Sequence, residues 1–467
     1  MSEFRIEKDS LGEMKVPAAA RYGPQTQRAV ENFPVSGQPM PAEFIHALGL
    51  VKQVCARVNG QLGLLEPGLA GAIEKAAGEV AEGRWDAEFP VDVFQTGSGT
   101  STNMNANEVI AHRAGELLGR RVHPNDDVNL GQSSNDVIPA VLHVSAVLGI
   151  ERELVPALER LHAALDAKAK AWDHVLKTGR THLMDATPIR LGQEFSGYAS
   201  QVEHGLARVR AALPDLRELA IGGTAVGTGL NTHPEFGRRV AAELSRVTRS
   251  EFREAANHFE AQGAQDAATW ASGALNTVAA SLVKIANDVR LMNSGPRCGL
   301  AEVALPAVQP GSSIMPGKVN PVICEAVIQV GAQVTGNHVA VTLGTQWGQL
   351  DLNTMLPLIA RNLLESVHLL ARVSRLFADR AIEGLAADEA ACRAYVEISP
   401  SMATALNPLI GYDQAAEIAK RSFRERRPVR ELAREMTELP PGEIDRALDP
   451  RRQTEPGLGP GGGAGGA

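Results

Sequence analysis

Apolar residues recur along much of the chain with the three- and four-residue spacing of helices buried on one side. Leu275, Val278, Leu282, Ile285, Val289 and Met292 are spaced 3, 4, 3, 4 and 3 apart, a heptad seam of about five turns. Leu154, Leu158, Leu161, Leu165, Ala169 and Trp172 trace a second such face. Both read as core stripes. Their Ala-rich flanks also permit close approach between chains, and periodicity alone does not separate the two kinds of packing. Long helical patterns of this type fill residues 138–389. Before them, residues 1–137 alternate helical segments with loops dense in small polar residues, such as QTGSGTSTNMN and HPNDDVNLGQSSND. After them, residues 390–467 predict short charged helices and end in PGLGPGGGAGGA, expected to be a disordered tail because it has too little apolar surface to bury. Three domains with these boundaries are expected. No period of about 20 to 50 residues repeats, which excludes a solenoid.

Composition sharpens this picture. Aromatics make up only 4% of the chain, so the core must be aliphatic, and abundant Ala and Leu favour packed helices. The net charge of -8 comes with no basic stripe, so the footprint of a nucleic-acid binder is missing. Any anionic substrate must then meet a local concentration of positive potential. Cys55, Cys298, Cys324 and Cys392 are far apart with no CxxC pair, which suggests neither a disulfide framework nor a zinc site. The opening MSEFRIEKDSLGEMK carries four acidic residues and no apolar stretch, unlike a signal or transit peptide. The longest largely apolar run, Val137 to Ile150, is interrupted by His143 and is too short to span a bilayer. A cytoplasmic protein with no membrane partner is expected.

The segment PGSSIMPGKVNPVICEA, Pro310 to Ala326, carries the most chemistry. Gly311, Pro316 and Gly317 shape a loop that leads into a helix starting near Pro321. It superficially suggests a phosphate loop, but five residues separate Gly311 from Gly317, and Val319 follows Lys318 where Ser or Thr is required. Nucleotide binding is therefore not expected. Taken singly, Ser312 and Ser313 are turn residues, His182 a structural histidine, and Glu325 a carboxylate favoured by a helix N-terminus.

Together these segments resemble the fumarase/aspartase superfamily, whose characteristic loop reads GSSxMPxKxNP. EKDSLGEMKVP, GPQTQRAVENF, QTGSGTSTNMNANEV, HPNDDVNLGQSSND, GRTHLMDATP, IGGTAVGTGLNTHPEF and ATALNPLIGYDQAAEIAK also match in order, leaving only the tail outside. His182, Gly317, the triplet Cys324-Glu325-Ala326 and His233 resemble the class II fumarases in particular. GQLDLNTM and PIRLGQEF are closer to the aspartases, while Phe94, Leu130-Gly131 and Gln265 depart from the usual fumarase pattern.

The resemblance implies a mostly α, three-domain protein whose central long-helix bundle assembles a homotetramer, with each active site gathering loops from three chains. It implies a cofactor-free and metal-free hydro-lyase of the tricarboxylic acid cycle acting on small dicarboxylates, fumarate and malate. An aspartate ammonia-lyase on the same scaffold is the alternative. A non-catalytic, crystallin-like relative is a third reading, and intact Ser312, Lys318 and His182 argue against it. By resemblance, Ser312 is the carbon-proton base, His182 handles the water, and Glu325 orients His182. Ser98, Gly99, Thr100, Ser133, Ser134, Asn135, Thr181, Ser313, Lys318, Val319 and Asn320 form the implied substrate-binding set. Lys318 and Asn320 clamp one carboxylate. His123, Pro124, Asn125 and Asp126 match a second dicarboxylate site, although a helix-capping role for Asn125 or Asp126 is equally open.

Overall fold

The computed structural model describes residues 3–457. The tail expected from its Gly-rich composition lies, from Leu458 on, outside the described residues. The chain is mostly helical, with short two-stranded ribbons as the sheet structure among the described residues. It forms two compact units that interleave along the sequence.

The first unit contains the chain up to Pro156, Gly205–Ala280 and Val330–Arg372. It opens with an antiparallel ribbon, Phe4–Asp9 against Gly12–Pro17, paired from Phe4↔Pro17 to Asp9↔Gly12. Helices Ala42–Gln61, Pro67–Ala81, Thr100–Leu118 and Ser134–Gly149 follow. Helix Ala42–Gln61 buries Phe44, Leu48, Val51, Val54 and Val58 completely. Each such aliphatic or aromatic burial contributes roughly 1.5–3 kcal/mol relative to exposure. Lys52 lies on the same covered face.

The second unit contains, of the described residues, Ala157–His204, Ser281–Gln329 and 373–457. Its ribbon joins Leu176–Thr181 to Met184–Arg190, and a helix at Val322–Thr345 begins where the sequence places one, just after Pro321. Near the C-terminus, Met402, Leu406, Ile418, Leu432 and Ile444 gather into a small core of their own.

Both apolar seams are buried in the single chain. Leu275, Ile285 and Val289 are fully covered, and so are Leu154, Leu158, Leu161 and Leu165. They are core stripes, so any surface between chains must use other residues. Trp270, Val339, Leu343 and Trp347 are large apolar side chains that the single chain leaves exposed. Among the described residues, no helix is long and apolar enough to cross a membrane.

Candidate functional site

In the first unit, two helix N-termini meet. Gly99, at φ 73°, forms the N-cap of helix Thr100–Leu118, and Ser133 caps helix Ser134–Gly149. A chain of hydroxyls joins them, with Ser98 Oγ 2.8 Å from Thr100 Oγ1 and Thr100 Oγ1 2.7 Å from Ser134 Oγ. The unsatisfied amides and dipoles of two helix starts favour an anion at such a place. Ser133 Oγ accepts from the Asn135 amide at 3.2 Å, and Asp136 accepts from the Ser133 amide at 2.9 Å, which closes a capping box. Asn135 donates its side-chain amide to the Ala225 carbonyl at 2.8 Å. Asp136 is fully buried and takes the amides of Gly222 and Thr224, each at 3.0 Å. Burial pushes its carboxyl above the ordinary value, while these amides and the Lys52 charge pull it back.

The segment before this cradle is held by close backbone packing. A Cβ on Gly97 would overlap the Thr354 carbonyl, and the Leu356 amide donates to the Gly97 carbonyl at 3.0 Å. The aspartase-like segment GQLDLNTM therefore ends directly against the loop that carries Ser98. Gln95 secures the same loop by accepting from the Thr102 amide and hydroxyl at 3.0 and 2.9 Å.

In the second unit, Thr181 and His182 sit at the tip of the ribbon Leu176–Thr181/Met184–Arg190. Thr181 pairs with Met184, so His182 and Leu183 form a two-residue turn, with φ of 56° and 61°. Positive φ at both positions is what such a turn demands, and it costs a non-glycine residue roughly 1–2 kcal/mol. His182, Leu183 and Met184 all stand exposed.

The base of this ribbon is fixed by buried charge. Glu302 is fully buried and takes Arg180 at 2.7 Å and Lys177 at 3.3 Å, and Lys177 also reaches Glu194 at 2.7 Å. The Arg180 guanidinium stacks 5.5 Å from the Tyr395 ring centre. Glu302→Ala would leave two buried cations short of a partner. It is expected to cost about 3–5 kcal/mol in denaturant unfolding, and a loss below about 1 kcal/mol would place the triad among interactions of surface strength.

The Ser312 loop leads into helix Val322–Thr345. Its neck is closed by the Gly311 amide donating to the Lys318 carbonyl at 2.8 Å and by Asn320 Nδ2 donating to the Gly311 carbonyl at 2.6 Å. A Cβ on Gly311 would overlap the Lys318 carbonyl. Within the loop, Ser312 Oγ accepts from the amides of Ile314 at 3.3 Å and Met315 at 3.0 Å. Ser313, Lys318 and Val319 are exposed, and Glu325 lies in the first turn of the helix. One N–H of Asn320 is thus committed to the loop itself. Among the described residues His182, Lys318 and Glu325 make no ion pair, and His182 and Glu325 do not meet within the chain.

His123, Pro124 and Asn125 border a cavity of about 1040 Å³ in the first unit, with Arg5, Arg21, His112 and Arg121 also on its wall, and Asp126 follows just outside that lining. The capping expectation for Asn125 or Asp126 is corrected here. His123 is the cap of the turn Pro124–Val128, its Nδ1 accepting from the Asp126 amide at 3.1 Å, while Asp127 takes the His123 amide at 2.7 Å. Pro124 suits the first position of the turn, where its fixed φ is compatible and its missing amide leaves no donor unpaired. Among the described residues, no group of three or more His, Cys, Asp or Glu side chains is placed to hold a metal ion.

Sequence reasoning missed Lys52, Gln95, Glu302 and Thr354. Of these only Lys52 left a local signal, a cation on an otherwise apolar helix face.

A family model described as "Lyase" matches residues 12–336, and one described as "Fumarase C C-terminus" matches residues 402–455. The chain is 53% identical over 463 residues to a class II fumarate hydratase of Xylella fastidiosa, covering 99% of this chain and 98% of that one. It is 58% identical over 431 residues to a class II fumarate hydratase of Mycobacterium tuberculosis, covering 92% and 91%. Among solved structures, a class II fumarase from Schistosoma mansoni superposes with a TM-score of 0.94 at 41% identity, covering 97% of this chain and 99% of that chain. A fumarate lyase:delta crystallin from Brucella melitensis superposes with a TM-score of 0.92 at 44% identity, covering 97% and 100%.

Proposed function

The chain belongs to the class II fumarate hydratases, and from that premise we propose that it adds water reversibly to fumarate, in anti fashion, to give malate. The observation that carries the mechanism is the pair of loop amides aimed at Ser312 Oγ.

In the dehydration direction, Ser312 as alkoxide takes the proton from the carbon beside a malate carboxylate. The electrons left behind delocalise into that carboxylate, which becomes a doubly charged aci-carboxylate. His182, on the opposite face, delivers a proton to the departing hydroxyl, which leaves as water, and the double bond of fumarate forms. A serine hydroxyl is far too weak an acid to ionise unaided. Hydrogen bonds from the Ile314 and Met315 amides favour the charged form and lower the cost, and the Lys318 ammonium adds positive charge. Lys318 and the remaining amide N–H of Asn320 clamp the carboxylate whose charge grows. Ser98, Thr100, Ser133, Ser134, Asn135 and Thr181 hold the substrate with neutral donors, helped by backbone at Gly99, Ser313 and Val319. Glu325 orients His182 as general acid and base.

His182 and Glu325 make no hydrogen bond or ion pair with each other within one chain, and the reading joins them across the chains of a homotetramer. One site takes the Ser98–Ser134 cradle, the Thr181–His182 tip and the Ser312 loop from three chains. Exposed Trp270, Val339, Leu343 and Trp347 provide apolar surface for such an assembly. A cytoplasmic location, the three-segment domain division and a second dicarboxylate site at His123–Asp126 belong to the same proposal.

Lys318→Met is expected to raise the half-saturating malate concentration and lower the maximal rate together, because the lysine touches the carboxylate in ground and transition states alike. Steady-state kinetics check this, and unchanged constants would put Lys318 outside the pocket. The function itself is tested by following fumarate's ultraviolet absorbance after adding malate, and separately aspartate, to purified protein. Absorbance should rise with malate alone. Ammonia release from aspartate at a comparable rate would overturn the assignment in favour of an ammonia-lyase.

A further inference from the structure

Lys52 is 1% exposed on the covered face of helix Ala42–Gln61. Its ammonium donates to Asn129 Oδ1 at 2.8 Å and Gln132 Oε1 at 2.9 Å, and it makes no ion pair among the described residues. Asn129 Oδ1 also receives Asn107 Nδ2 at 3.1 Å, and Asn129 Nδ2 donates to the Gln132 carbonyl at 3.0 Å. Asn59 holds the Leu130 carbonyl at 2.9 Å. The turn 129–132 is therefore pinned from inside the unit, and the next residue is Ser133, the cap of the helix that carries Ser134 and Asn135.

We infer that Lys52 is a positioning residue for the dicarboxylate site: it fixes the Asn129–Gln132 turn and keeps a buried positive charge behind the Ser133–Asn135 helix start. The inference rests on the proposed reading of that helix start as part of the substrate cradle. A buried ammonium with only neutral oxygens as ligands is costly unless a counter-charge approaches. Asp136, the nearby carboxylate, is already occupied by three backbone amides. A bound dianion supplies the missing charge, in a low-dielectric setting where the attraction is strong.

The titration of Lys52 separates charge from architecture. Burial lowers its pKa from 10.5 to about 8, opposed by Cys55 and Asp136, the titratable groups that act on it. The charge is present at neutral pH and is lost as pH rises through that value. The neutral amine still donates hydrogen bonds, so the turn keeps its support while the charge disappears. A lysine with a purely architectural role would leave ligand affinity indifferent to this change.

Succinate, an unreactive dicarboxylate, is titrated by calorimetry into the wild-type protein and the Lys52→Met, Lys52→Arg and Ser134→Ala variants, with melting curves as the check on folding. Wild-type affinity is expected to fall between about pH 7 and about pH 9.5. Lys52→Met should bind succinate about tenfold or more weakly at pH 7, with no further loss over that window. Lys52→Arg should recover part of the affinity and remove the pH response. Wild-type affinity that stays constant over that window overturns the inference even if Lys52→Met does not fold. Weak binding by Ser134→Ala together with normal binding by Lys52→Met overturns the role of Lys52 and leaves the cradle standing. Normal binding by Ser134→Ala overturns both.

Discussion

Ser312→Ala is expected to abolish turnover, a loss of about 10³-fold or more, while the fold and dicarboxylate binding survive. The side chain sits in a loop, not in the core, so its loss opens no cavity. The loop neck is tied by Gly311, Lys318 and Asn320 through bonds that do not involve the Ser312 hydroxyl. The Ile314 and Met315 amides lose their acceptor, but this loop is solvated and water replaces it. What the substitution removes is the oxygen on which two amides converge, the group assigned to take the carbon proton. The check pairs steady-state rates with succinate binding and a melting curve. Near-normal turnover would mean that another residue is the base.

His182→Asn is expected to lower the rate by about 100-fold or more in both directions. Asparagine suits the test because His182 has φ of 56°, and Asn tolerates the left-handed region better than most residues. The two-residue turn to Met184 should persist, and with it Thr181. The imidazole, able to carry and release the proton on the departing water, is lost. The kcat/KM values for malate dehydration and fumarate hydration should fall by the same factor, since the equilibrium between the substrates is unchanged. A loss smaller than about tenfold would leave His182 as a binding or structural group outside the range of general acid-base catalysis.

Much of the fold was legible because helical periodicity reports burial directly. The seams through Leu275 and Leu154 both proved to be core, and the helix after Pro321 begins where the Pro-Gly loop ends. The motifs of the site were legible as residue strings, and the structure adds how they are held. The amides on Ser312 Oγ and the hydroxyl chain from Ser98 to Ser134 follow from loop and helix-start geometry that spacing alone does not give. Contacts between distant segments stayed hidden. Glu302 lies 122 positions from Arg180, and nothing near either residue announces the pair. Gly97 reads as one more small loop residue until Thr354 is seen against it. His123 as a cap was also missed, because histidine is a rare capping residue and Asn125 and Asp126 offered the commoner chemistry.

The proposed site draws Ser312 and His182 from different chains of the assembly. Ser312→Ala and His182→Asn subunits, each inactive and carrying different tags, can be refolded together and the mixed tetramers isolated through both tags. If Ser312 and His182 of a site come from different chains of the proposed tetramer, random association leaves about a quarter of all sites with both groups intact, and roughly two in seven once the unmixed tetramers are removed. The mixed tetramers should then recover fumarate hydration at roughly two-sevenths of the wild-type rate. Mixed tetramers no more active than their parents would contradict the shared site.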